Sequence, residues 1–175
     1  MMATTTRSSM RVNPLVNLED LKKLDLILLA DNIEKPGNLG AMMRSAEGAG
    51  ATAMIATDSK IDIFNPNVIR ASLGAFFKLP LVACTTKQAI DFLQRHNIQI
   101  VIATPEAKKI YYEQDFRKPT CIVIGSEAFG VSDLWKKTSL QQVFLPMKGD
   151  VDSLNASVTA GILLYEALRQ RNTLS

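Results

Sequence analysis

Leu24-Asp25-Leu26-Ile27-Leu28-Leu29-Ala30-Asp31-Asn32-Ile33-Glu34-Lys35-Pro36-Gly37-Asn38-Leu39-Gly40 is the stretch whose reading decides the fold. The apolar run Leu24 to Ala30 is short and closes on the turn pair Asp31-Asn32, which fits a buried strand. Pro36 to Gly40 then reads as a loop, with Asn38 capping a helix that begins near Leu39 and continues through the helical composition of Ala41 to Gly50. Gly37 and Gly40 permit tight turning and close approach to a ligand.

Outward from this unit the pattern repeats. Thr52 to Thr57, Leu79 to Thr85, Ile98 to Ala103, Cys121 to Ile124 and Val143 to Leu145 read as strands. Pro80 puts the second of these at a sheet edge or a strand start. Asn65-Pro66-Asn67 is a turn before a short helix over Arg70 to Phe76. Thr86 to Asn97 is a helix capped by Thr86, and Ser132 caps another through Lys137. The final helix runs from Leu154 to Arg169 with Asp152 or Ser153 as its cap, and its residues Leu154, Val158, Ile162, Tyr165 and Leu168 form one apolar stripe. Strands that alternate with helices and read as continuous apolar runs predict an α/β fold, a mostly parallel sheet with helices on both faces. Ligands of such sheets bind beyond the carboxyl ends of the strands. The segments at those ends are Asn32 to Gly40, Thr104-Pro105, Gly125 to Gly130 and Pro146 to Asn155.

Composition narrows the function. The 175 residues suit one domain, 47% are hydrophobic and 21% charged, and there is no internal repeat. Residues 1–20 are expected to be a disordered or extraneous tail and residues 21–175 the folded domain. No apolar run approaches the roughly 20 residues that cross a bilayer, and Met1 to Met10 lacks the apolar region of a secretory signal, so a cytoplasmic setting is expected. Cys84 and Cys121 have no ligand-like spacing and read as reduced core thiols. His96 is the only histidine. That undercuts a histidine zinc site, a Ser-His-Asp triad and a Cys-His pair, and no metal is expected. The end of a helical stretch suggests a surface position for it. A net charge of +3 permits a nucleic acid partner without demanding one. Lys22-Lys23, Lys108-Lys109, Arg117-Lys118 and Lys136-Lys137 read as solvated surface pairs.

Three loops carry the chemical signal. The first holds Asn38 and Arg44 but lacks GK[ST] and GxGxxG, so it is neither a P-loop nor a dinucleotide fingerprint. In the second, Gly125 and Gly130 bracket the carboxylate of Glu127 directly after a strand. In the third, Leu145-Pro146-Met147 leads to Ser153-Leu154-Asn155, where Asn155 is a poor helix former that capping by Ser153 leaves unexplained. In order and spacing these segments resemble the three motifs of the SpoU (TrmH-like) family of the SPOUT class. The resemblance covers about Leu24 to Arg169 and departs at Ala128, where the family often has glycine.

That resemblance implies an S-adenosylmethionine-dependent RNA 2′-O-methyltransferase acting on tRNA or rRNA, a homodimer, and a deep C-terminal trefoil knot. It places the cofactor among Thr104, Gly125, Leu145, Met147 and Leu154, and the reacting end at Asn38, Arg44, Glu127, Ser153 and Asn155. A guanidinium stays protonated well above neutral pH, so Arg44 is expected to clamp the RNA phosphate and stabilise oxyanion charge rather than act as a base. Glu127 is expected to fix Arg44 or to accept a hydrogen bond from the ligand. The alternatives are an inactive RNA-binding domain of the same fold and an unrelated nucleotide-binding α/β protein.

Overall fold

Parallel neighbours need a crossover between them, and this chain supplies one after nearly every strand. A computed structural model of the protein describes residues 16–139 and 141–172. Seven strands, β1 (Leu26–Asp31), β2 (Ala53–Thr57), β3 (Leu81–Cys84), β4 (Gln99–Ala103), β5 (Lys109–Ile110), β6 (Thr120–Ile124) and β7 (Gln142–Phe144), form one sheet in the order β3-β2-β1-β6-β4-β7-β5. Every strand pairing in it is parallel. The helices are α1 (Pro36–Gly48), α2 (Pro66–Ala71), α3 (Thr86–Arg95), α4 (Asp133–Thr138) and α5 (Ala156–Asn172).

Strand periodicity divides the core into two layers. Leu26, Leu28 and Ala30 of β1 face a core shared with α1, α2 and α5. Ile27 and Leu29 face a second core, with Ala89, Phe92 and Leu93 of α3 and Trp135 of α4. The chain builds β1, β2 and β3 outward in one direction, then places β6 and β4 on the other side of β1. This reversal is where a parallel sheet opens a crevice at its strand ends.

Several element ends differ from expectation, each for a local reason. Helix α1 starts at Pro36, whose fixed φ suits the first helical position, so Lys35 is the cap residue and Asn38 lies inside the first turn. Gly40 is therefore helical. A Cβ there would lie 2.4 Å from the Val68 carbonyl oxygen and 2.7 Å from Ala71 Cβ, so Gly40 serves the approach of α2 rather than of a ligand. Asn65 caps α2, which stops where Leu73 and Gly74 turn to positive φ instead of continuing to Phe76. Thr85, not Thr86, caps α3, in a reciprocal pair with Gln88. The short strand β5 lay outside the sequence expectation. Residues 1–15 of the expected tail lie outside the described residues, while Val16 already donates to the Leu81 carbonyl and packs beside Leu18 on the second core.

The largest revision concerns α5. Its buried face is Ala156, Ala160, Leu163, Leu164 and Ala167. The apolar stripe of the sequence reading points elsewhere: Val158 is 49% and Tyr165 53% exposed. Small residues bring α5 close to α1, where Gly161 sits against Ser45 and Gly48 against the Tyr165 hydroxyl. Arg171 anchors the far end by donating to the carbonyls of Asp25, Phe116 and Lys118. His96 is exposed and lies tilted against Phe92, with ring centroids 4.6 Å apart and an interplanar angle of 49°. Both cysteines are free. Burial lifts the Cys84 thiol to about 11 and Cys121 higher still, so both remain protonated near neutral pH. Among the described residues no helix is long and apolar enough to cross a membrane.

One buried acid ties the strand ends together. Asp31 closes β1 at 1% exposure. Its Oδ1 accepts from the hydroxyls of Thr57 (2.9 Å) and Thr86 (3.3 Å), and its Oδ2 from the Ser132 backbone N–H (2.8 Å). These bonds join β2, the start of α3 and the loop before α4 to β1. Removing an acceptor that serves the buried Thr57 and Thr86 hydroxyls leaves both unsatisfied and frees the part-buried Ser132 N–H. Asp31→Ala is therefore expected to lower unfolding free energy by about 2–4 kcal/mol, read from the urea midpoint; a change below about 0.5 kcal/mol would contradict this role.

Candidate active site

The loop after β6 is shaped by two glycines. A Cβ on Gly125 would stand 2.1–2.2 Å from the Gly130 carbonyl group and the Val131 nitrogen, so only glycine lets the chain fold back there. Ser126 and Gly130 close the loop with reciprocal backbone hydrogen bonds of 3.1 and 2.9 Å, and Gly130 adopts φ 67°. The Ser126 hydroxyl accepts from the Phe129 N–H at 3.1 Å. Ser132, held by Asp31, fixes the exit. Glu127 stands at the front of this braced turn, where sequence reasoning placed it.

Glu127 is the meeting point of three segments. Its Oε1 accepts from Asn38 Nδ2 at 3.0 Å and from Asn155 Nδ2, and its Oε2 from the Lys35 ammonium. Asn155 Nδ2 also reaches Asn38 Oδ1 at 3.2 Å. The opposite end of the Asn155 amide caps α5: Oδ1 accepts from the Ser157 N–H at 2.9 Å, and the Asn155 carbonyl accepts from Thr159 N at 2.9 Å. Asn155, rather than Asp152 or Ser153, is thus the cap, and one amide both starts the helix and grips the carboxylate. The Lys35 and Asn38 hydrogen bonds, followed in weight by the charge on Lys35 and the Ala156 N–H at the α5 N-terminus, hold Glu127 below the usual carboxylate range. It is ionised at neutral pH.

Beside this cluster a cavity of about 290 Å³ opens at the strand ends, close to the lower end of sizes typical of small-molecule sites. Thr104, Gly125, Leu145, Met147 and Leu154, the expected cofactor residues, all line it, as do Glu127 and Ser153. Ile124, Val143 and Ala156 complete an apolar wall. Thr104 is buried, and its N–H is fixed by the Val143 carbonyl at 3.0 Å. Such walls accept a flat heterocycle, and a carboxylate at the margin favours a cation.

Arg44 stands apart from the cluster. It lies four residues after Gly40, which meets α2, and four before Gly48, which meets α5, whereas Asn38 shares a flank with Ser45. It is exposed, and among the described residues it makes no hydrogen bond or ion pair. Glu127 therefore does not fix Arg44; Lys35, Asn38 and Asn155 take its oxygens. Three charged groups escaped the sequence reading: Lys35, which meets Glu127, and Lys136 and Glu106, which line the cavity. Lys35 sits within the first quoted stretch, and its place just before Pro36 was the only signal for it. Lys136 belongs to a basic pair read as solvated surface, yet it lines the cavity. Among the described residues no group of three or more His, Cys, Asp or Glu side chains could hold a metal ion.

Comparison with known proteins identifies the family. Residues 25–165 match the family model described as SpoU rRNA Methylase family. The 23S rRNA (guanosine-2'-O-)-methyltransferase RlmB of Pseudomonas syringae pv. tomato is 40% identical over 148 residues, which are 84% of this chain and 59% of that protein. A crystal structure of an RNA 2'-O ribose methyltransferase superposes with a TM-score of 0.80 at 44% identity, covering 86% of this chain and 58% of its own. The SpoU methyltransferase AviRb from Streptomyces viridochromogenes, solved in complex with AdoMet, gives a TM-score of 0.85 at 32% identity, covering 90% of this chain and 65% of its own. The chain spans about three fifths of the length of the curated relatives it matches. Sequence similarity and backbone superposition both extend over most of its length, and this chain belongs to the SpoU rRNA methylase family.

Proposed function

We propose that this chain transfers a methyl group from S-adenosylmethionine to a ribose 2′-hydroxyl of ribosomal RNA. The observation that carries the reading is the convergence of Asn38, Glu127 and Asn155 beside a cavity lined by Thr104, Gly125, Leu145, Met147 and Leu154. The naming of its relatives for guanosine 2′-O-methylation of 23S rRNA supports the ribosomal substrate over tRNA. With methyltransferases as relatives and the polar cluster complete, nothing favours an inactive scaffold.

The cavity suits the donor on physical grounds. Its apolar wall fits the adenine ring, and ionised Glu127 at its margin favours a sulfonium. When bound, the donor supplies an electrophilic methyl whose leaving group departs as a neutral thioether, so no acid is required on that side. The protein's task lies with the hydroxyl. Glu127, held below the ordinary carboxylate range, is too weak a base to strip a ribose hydroxyl outright, so the hydroxyl proton passes to solvent water as the O–CH3 bond forms and the S–CH3 bond breaks. It orients the amides of Asn38 and Asn155 instead, and Ser153, at the cavity wall, completes the polar margin. Arg44, exposed and unpaired among the described residues, is available to clamp an RNA phosphate and to stabilise negative charge on the attacking oxygen. Lys35 places a second cation beside the carboxylate. Phe129, 77% exposed at the cavity rim, offers a ring on which an RNA base can stack.

Two further features belong to the same reading. A second copy of the chain covers the exposed Val158 and Tyr165 of α5, making a homodimer; sedimentation of a monomer at assay concentration would remove it. The C-terminal segment passes through the chain as a trefoil knot. The seating of β7 between β4 and β5 supports this, since β7 enters the sheet between two strands that the preceding chain has already joined. A crystal structure tracing an unthreaded crossing would remove it.

Methyl incorporation from labelled donor into rRNA tests the activity, and a 2′-deoxy nucleotide at the target should abolish product. In that assay Arg44→Ala is expected to lose about a hundred- to a thousandfold in turnover, with Arg44→Lys recovering part of it; near-native turnover in both variants would contradict the role given to Arg44. Lys35→Ala removes the first cause of the lowered Glu127 pKa. Because the carboxylate is the active form, rate is lost as pH falls through that pKa, so the acidic limb of the pH–rate profile should move to higher pH in the variant. An unmoved limb would show that Lys35 does not act on Glu127.

A further inference from the structure

We infer that Lys136 and Glu106 form the seat for the amino-acid end of the methyl donor, Lys136 taking its carboxylate and Glu106 its ammonium. The inference rests on the donor named above. Both side chains line the cavity, and Lys136 Nζ donates to Glu106 Oε2 at 2.8 Å across its wall. The two come from separate segments, Glu106 from the turn after β4 and Lys136 from α4. The Lys136 side chain is 29% exposed and Glu106 71%, so the ammonium is the inner partner. Lys137, the next residue in the chain, is absent from the lining. A pair this exposed contributes little to stability. What it does is present opposite charges, side by side, to whatever enters.

The placement divides the cavity by chemistry. Helix α4 packs on the core that includes Trp135 and Val131, whereas α1 and α5, which bring Asn38 and Asn155, pack on the other face of the sheet. The Lys136–Glu106 pair and the Glu127 cluster thus reach the cavity from opposite layers, with the apolar residues Ile124, Leu145, Met147 and Leu154 also on its walls. S-adenosylmethionine carries three matching parts: a flat heterocycle, a sulfonium and a zwitterionic amino acid. Exchanging the internal ion pair for a zwitterion replaces each charge with its equal, so binding leaves no charge uncompensated. Each new contact is a charge-assisted hydrogen bond.

Calorimetry on the full chain separates recognition of the tail from the rest of the site. S-adenosylhomocysteine keeps the amino-acid end, and 5′-methylthioadenosine keeps the adenosine and thioether without it. Lys136→Met and Glu106→Gln are each expected to weaken S-adenosylhomocysteine by about tenfold or more while leaving 5′-methylthioadenosine within about twofold of the parent protein. Lys136→Arg should retain affinity for both ligands. Unchanged S-adenosylhomocysteine affinity in Lys136→Met would overturn the inference. Equal loss of both ligands would overturn it too, because the residue would then shape the cavity rather than read the tail. Failure of the parent protein to bind either ligand would instead remove the proposed function, and this inference with it.

Discussion

A single carboxylate holds the candidate site together. Glu127 accepts from the first turn of α1, from the residue before that helix, and from the residue that caps α5. Those donors lie 89, 92 and 28 residues away in sequence. Without a shared acceptor, two amides and an ammonium at this margin would have no reason to converge. Hydrogen bonding also fixes the charge of the group, since Lys35, Asn38 and the Ala156 N–H at the α5 N-terminus all favour the ionised form. The geometry and the electrostatics of the site are therefore one fact.

That convergence depends on how the layers are spaced. Gly40 admits α2 against α1, and Gly48 and Gly161 lie at the contact of α1 with α5, so the two helices that carry Asn38 and Asn155 run side by side over one face of the sheet. Gly125 performs the equivalent service for the loop, which can fold on itself only because no Cβ fills the space occupied by Gly130. Beneath them Asp31 secures the loop's far end to β1. Rigid elements thus set the positions of the polar groups, as precise positioning of reacting groups demands.

Much of this was legible in the residues, and the misses follow a pattern. Continuous apolar runs such as Leu26 to Ala30 announced a sheet covered on both faces, and the strand-end rule led to the cavity. Helix starts were misplaced by a few residues because several candidate caps stood together: Asn38 was preferred although Pro36 suits the first helical position, and Asp152 or Ser153 although Asn155 has the right geometry. The α5 stripe misled because apolar spacing alone does not say which face of a helix packs on the core; Val158 and Tyr165 are about half exposed. The closely packed face of that helix is made largely of alanines, whose small size is the reason for its contacts. Lys35 and Lys136 were invisible for another reason. A lone lysine has no periodicity, and only the folded chain shows that one meets Glu127 and the other a cavity wall.

In the proposed function, the donor's methyl group sits at the junction of Asn38, Glu127 and Asn155. Isotope-edited NMR with methyl-13C S-adenosylmethionine measures this directly, through nuclear Overhauser effects from the labelled methyl to side-chain protons. The account predicts cross-peaks to the amide protons of Asn38 and Asn155. A bound donor whose methyl shows cross-peaks only to residues remote from Glu127 would contradict it.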